Sequence, residues 1–111
     1  MDLDLLLKDV YINVKKIYGD DLAKIILYGS YARGDYNEYS DIDILALVKC
    51  DDKAIRDYHD QLISAISDLS WKHSVYTPIS VMMNNIEYFD YWKDDMPYFM
   101  NVQKEGIEIN V

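Results

Sequence analysis

The sequence predicts an α/β or α+β sandwich, a small sheet flanked by helices. Three observations lead there. Two long stretches carry apolar residues at helical spacing, three short runs are dense in apolar and β-branched residues, and the two kinds of segment alternate along the chain. Half of the 111 residues are apolar or aromatic, enough for one modest core, so the chain reads as a single domain over 1–111.

The elements follow in order. "DLDLLLKDVYINVKKIYG" places Leu3, Leu6, Leu7, Val10, Val14 and Ile17 at helical spacing, and Gly19 stops it, which predicts a helix over about 2–18. "AKIILYG" is a short apolar run ending at Gly29 and reads as a buried strand. "SYARG" has room for about one helical turn opened by Ser30 and broken by Gly34. "DYNEYS" is a polar loop, and "DIDILALV" is a second strand. Residues 52–69 put Ile55, Leu62, Ile63, Ile66 and Leu69 mostly on one face, a second amphipathic helix. "SVYTPISVMM" reads as a third strand, and its Pro78 points to an edge or a bulge. "IEYFDYW" is a short helix or loop, while "PYFMNVQKEG" has the proline start and glycine stop of a helix.

Composition narrows the function classes. The net charge of −9 repels phosphate backbones, which disfavours tight nucleic-acid binding and fits a basic protein partner or bound Mg²⁺. The start "MDLDLLLKDV" lacks the basic opening of a signal peptide, and no apolar run approaches the ~20 residues of a membrane span. A lone cysteine, Cys50, has no internal disulfide partner and reads as a plain strand-end residue. The expectation is a soluble cytoplasmic protein without membrane association. His59 and His73 lie far apart without metal-ligand spacing.

The chemistry concentrates in "YGSYARGDYNEYSDID", residues 28–43, where ten residues separate Ser30 from Asp41. On a strand Asp41 and Asp43 share a face, about 6.6 to 7 Å apart at the backbone, with Ile42 and Ile44 directed into the core. Two carboxylates on one face repel unless a cation sits between them, and hard oxygen ligands suit Mg²⁺ with substrate phosphates. Gly29 allows a tight turn, and the amides of Tyr31 and Ala32 with the Ser30 hydroxyl would cradle an anion. Arg33 either adds a cation for phosphate or pairs with a nearby acid such as Asp35. If the two strands are neighbours, cradle and carboxylates meet. Gly29 and Gly34 have the glycine spacing of a P-loop, but Asp35 stands where that motif requires lysine, so the P-loop reading fails. The tyrosines near the motif, Tyr28, Tyr31, Tyr36 and Tyr39, read chiefly as packing or interface residues, with base stacking as the alternative.

The string "GSYARGDYNEYSDIDILAL" resembles the signature of the DNA-polymerase-β-like nucleotidyltransferase superfamily, and in particular its minimal branch, the MNT domains. The resemblance extends over nearly the whole chain, with the softer part in "MPYFMNVQKEGIEI". It implies a small mixed sheet flanked by helices, with Gly29 and Ser30 on the triphosphate and Asp41 and Asp43 on two Mg²⁺ ions. It also implies ATP as substrate and AMP transfer to a tyrosine of a HEPN-domain toxin, the chain acting as its antitoxin in a hetero-oligomer. One departure stands out: larger members carry a third acid on the following strand, and "SVYTPISVMM" has none. Glu87 and Asp90 are the nearest later acids. The departure keeps a second reading open, an antitoxin weak or inactive in catalysis that neutralises its toxin by binding. The short chain leaves little for an acceptor domain, so the acceptor surface is expected from a partner.

Overall fold

The computed structural model describes residues 1–110. The elements are α1 (Leu3–Tyr18), β1 (Leu22–Tyr28), α2 (Ser30–Arg33), β2 (Ile42–Val48), α3 (Asp52–Asp57), α4 (His59–Lys72), β3 (Ile79–Asn85), α5 (Ile86–Trp92), α6 (Pro97–Glu105) and β4 (Ile107–Glu108). A single 3₁₀ turn, Gly19–Asp21, joins α1 to β1.

The four strands form one mixed sheet in the order β3-β2-β1-β4. β1 and β2 are antiparallel neighbours, so the condition for bringing cradle and carboxylates together is met. β2 and β3 run parallel, and β4 pairs antiparallel with β1. The parallel pair needs a crossover, which α3 and α4 supply. β3 is an edge strand, as Pro78 foretold.

Side-chain alternation along the strands divides the core in two. Ile42, Ile44, Ala46 and Val48 join Ile25 and Leu27 against α1 and α4, through Leu6, Val10, Val14, Leu62 and Ile66. Leu45 and Leu47 join Ile26 on the other face, against Phe89 of α5 and Phe99 and Val102 of α6. Helix α1 is capped by Asp2, which accepts from the Leu5 N–H, and its buried stripe repeats every three to four residues. Lys72 and His73, at the end of α4, reach Asp9 of α1 at 2.9 and 2.6 Å and tie the outer helices together.

Two expectations need correction, and one element was absent from them. The helix expected over 52–69 is two helices, broken at Tyr58. Its middle, "RDYHDQ", offers no apolar side chain except Tyr58, so nothing holds it on the core there. Ile63 accordingly points outward, 53 % exposed. The third strand begins at Ile79, after Pro78, because Pro78 lacks an N–H and Ser74 adopts φ +53°. Strand β4 was not foreseen at all. Among the described residues, no helix is long and apolar enough to cross a membrane.

Candidate active site

The site is assembled at the turn that leaves β1. Gly29 has φ +77°, a conformation that favours glycine, and α2 follows at once. Across the ladder, Tyr28 pairs with Asp43. A Cβ placed on Gly29 would lie 2.5 Å from Asp43 Oδ2. Glycine is therefore required twice here, once for the turn and once so that the carboxylate can rest against the backbone.

Asp43 shares its strand face with Leu45 and Leu47, the face covered by α5 and α6. Asp41 lies one residue before β2 and is exposed, while Asp43 is half-buried. Ile42 and Ile44 are fully buried on the opposite side, as expected. Burial pushes the Asp43 carboxyl above the ordinary aspartate range, and Asp41 and Glu105 push it the same way, against an opposing pull from Arg33. Such crowding is relieved by a cation between the acids. The ligand atoms are carboxylate oxygens, hard donors that suit Mg²⁺. Two carboxylates leave most of a Mg²⁺ shell open, so the donor set fits an ion that takes its remaining ligands from phosphate and water.

The cradle differs in detail from expectation. The N–H groups of Ala32 and Arg33 both donate to the Gly29 carbonyl at 3.1 Å, so Ala32 is not an open donor. Among the described residues, the amides of Ser30 and Tyr31 have no protein acceptor. The Gly29 N–H donates to Glu105 Oε1 at 3.0 Å. Arg33 takes the ion-pair alternative: its Nε donates to Asp35 Oδ2 at 3.1 Å and its Nη1 to Glu105 Oε2 at 2.8 Å. Tyr28 is a packing residue, edge-to-face with Tyr98, whose hydroxyl donates to the Tyr28 hydroxyl at 2.8 Å. Tyr31 and Tyr36 stack in parallel with centroids 4.1 Å apart.

The parallel register sets Ser80 of β3 beside Asp43. The strand carries no acid along its observed length, Ile79–Asn85. Glu87 and Asp90 do not join the site. They belong to α5, which starts past Asn85, five residues beyond Ser80 and about 17 Å along the strand.

Residues 11–96 match the family model described as Nucleotidyltransferase domain. The chain belongs to this family. The nucleotidyltransferase domain is 35 % identical over 106 residues to "Putative protein adenylyltransferase MJ0604" of Methanocaldococcus jannaschii, covering 96 % of each chain. Two further relatives from that organism share shorter stretches. MJ0141 is 47 % identical over 49 residues, 44 % of this chain and 50 % of the relative, and MJ1305 is 41 % identical over 61 residues, 55 % of this chain and 42 % of the relative. The matched stretch therefore spans half or less of those two relatives. Among solved structures, the domain is similar to one described as a toxin–antitoxin with AMP-PNP, at TM-score 0.51 and 20 % identity, covering 93 % of this chain and 72 % of that one. A mutant of the MntA-HpeT toxin–antitoxin gives TM-score 0.50, also at 20 % identity, with 93 % and 71 % covered. At that identity the likeness establishes the nucleotidyltransferase fold, with its small mixed sheet flanked by helices.

Sequence reasoning missed Glu105, the acid that accepts from the Gly29 N–H. A signal was present. Glu105 is the last residue of a helix, where negative charge opposes the macrodipole. An acid in that place calls for a partner elsewhere, and Arg33 is that partner.

Proposed function

We propose that this nucleotidyltransferase domain transfers AMP from ATP to a hydroxyl of a protein acceptor, a tyrosine of a cognate HEPN toxin, and so acts as the antitoxin. The observation that carries the reading is the seating of the Asp43 carboxylate against the Gly29 turn. It joins a phosphate-binding bend to a cation-seeking acid. The names of the relatives support adenylyl transfer to protein, and the solved neighbours support a toxin partner and an adenine nucleotide.

In this reading the Gly29 turn, the Ser30 hydroxyl and the Ser30 and Tyr31 amides hold and orient the triphosphate. Arg33 borders that cradle. Asp41 and Asp43 would hold two Mg²⁺ ions, which when bound neutralise charge on the entering and leaving oxygens. The acceptor oxygen forms a bond to the α-phosphorus as the bond to the β-phosphate oxygen breaks. Pyrophosphate leaves, and the hydroxyl proton passes to solvent. Positioning and charge neutralisation supply most of the acceleration. A tyrosine hydroxyl, with solution pKa about 10, gives up its proton more readily than a sugar alcohol, which suits a site with no base on β3. The acceptor surface comes from the partner, and the chain's negative charge favours a basic one.

Labelled ATP with Mg²⁺ and the candidate toxin tests the proposal. Label should appear on the toxin and vanish with the double substitution Asp41→Ala/Asp43→Ala. One observation favours a second reading: β3 carries no acid, and the residue it sets beside Asp43 is Ser80. A chain that neutralises by occlusion alone would still silence the toxin after that double substitution, with no label transferred.

A further inference from the structure

Glu105 lies beyond the residues matched by the family model, yet it hydrogen-bonds Gly29, which lies within them. Its two carboxylate oxygens are divided between two targets. Oε1 accepts from the Gly29 N–H at 3.0 Å, and Oε2 accepts from Arg33 Nη1 at 2.8 Å. Those targets flank α2, one at its start and one at its end. A single side chain thus clamps both ends of the turn that carries Ser30.

The backbone around Glu105 is itself fixed. Gly106 follows, and its N–H donates to the Val102 carbonyl at 2.8 Å. A Cβ on Gly106 would collide with that carbonyl oxygen and lie 2.6 Å from Ile26 Cγ2, so α6 ends pressed onto β1. The chain then pairs as β4, Ile107 with Leu27 and Glu108 with Ile26, and the Ile109 N–H donates to the Ile25 carbonyl at 2.8 Å. Glu105 is consequently held from both sides, with its side chain only 21 % exposed.

We infer that Glu105 is a positioning residue, a brace that fixes the Gly29 turn for polyphosphate and retains Arg33 as part of the clamp rather than as a phosphate ligand. This rests on the proposed function for its ligand, Mg–ATP. The brace makes a prediction opposite to the one made if Arg33 were a phosphate ligand in waiting. Freeing Arg33 from Glu105 would then strengthen nucleotide binding. If the brace is right, freeing it weakens binding.

The experiment uses the full chain and four variants, Glu105→Ala, Glu105→Gln, Arg33→Ala and the double substitution Arg33→Ala/Glu105→Ala. Binding of a non-hydrolysable ATP analogue with Mg²⁺ is measured by calorimetry. In parallel, ¹⁵N-glycine labelling gives a spectrum of four glycine amides, in which Gly29 reports the brace directly. Loss of a charge-assisted hydrogen bond predicts roughly tenfold weaker analogue binding and roughly tenfold faster exchange of the Gly29 amide in Glu105→Ala. Glu105→Gln, which keeps an acceptor of the same shape, should restore part of both. Arg33→Ala combined with Glu105→Ala should cost no more than Glu105→Ala alone, because the two act as one unit. Thermal melts confirm folding, and Glu105→Gln carries the test if Glu105→Ala fails to fold. Binding unchanged or tightened in the Glu105 variants, against a wild type that binds, overturns the brace and leaves the functional reading standing. A wild type that binds no analogue overturns the functional reading itself.

Discussion

At Gly29 a single hydrogen atom on Cα separates a working turn from a collision. Gly29→Ala would combine a positive φ with a Cβ 2.5 Å from Asp43 Oδ2. We expect it to lower stability by about 1–3 kcal/mol, read in urea melts, and to abolish Mg–ATP binding. Asp43→Asn should behave otherwise. Burial, Asp41 and Glu105 all disfavour the Asp43 charge, so in metal-free buffer the neutral amide should raise the melting midpoint even as transfer is lost. A drop in the midpoint would contradict the electrostatics given for this carboxylate. Glu105 has the opposite sign. Arg33, then the Gly29 N–H, hold its carboxyl below the usual glutamate range, outweighing partial burial. Its folded value is depressed, so its contribution is fully present above the ordinary value of about 4.3 and is lost as pH falls through the lower folded one. Urea midpoints followed downward from pH 6 should fall in that window, and less steeply in Glu105→Gln. Cys50 takes no part: burial, then Asp21, push its thiol upward, away from the thiolate.

Among the elements, α6 and β4 have the larger consequence for the site. Gly106→Ala should cost about 1–3 kcal/mol through overpacking against Ile26 and the Val102 carbonyl, and it should also weaken nucleotide binding by shifting Glu105. Leu47→Ala, in the core under α5 and α6, should cost about 2–5 kcal/mol with little change in the affinity of the protein that remains folded. Comparing the two separates loss of packing from loss of the brace. The same elements show what could be read in advance. Helices α1 and α6 and strands β1 and β2 were legible because periodicity, caps and glycine stops are local signals. Gly29, Ser30, Asp41 and Asp43 were legible because one hairpin holds all four. Glu105 was not, since its contact with Gly29 crosses 76 positions and depends on β4 docking. β4 itself is two residues long and forms only because β1 offers it an edge. The break at Tyr58 carries no glycine or proline, and only the missing apolar stripe around it betrays the interruption.

For the molecule as a whole, charge and topology set the terms. A net charge of −9 makes the compact state repel itself. Raising sodium chloride from roughly 0.01 to 0.15 M, which shortens the screening length from about 30 to about 8 Å, should therefore raise the melting midpoint. Mg–ATP should stabilise the chain further, by about 2.7 kcal/mol at a hundred times its dissociation constant, measured as a shift in urea unfolding. The sheet gives the molecule two unlike ends. The acids and the Gly29 turn stand at one, and Asn85, capping α5 by accepting from the Glu87 and Tyr88 amides, stands at the other. The parallel pairing that separates these ends also leaves Ser80 abreast of Asp43. A retrofit is thus within reach of one substitution. Ser80→Asp would install a third carboxylate at the matching register, and a gain in turnover on an alcohol acceptor would mean that this scaffold lacks only a proton acceptor to widen its chemistry.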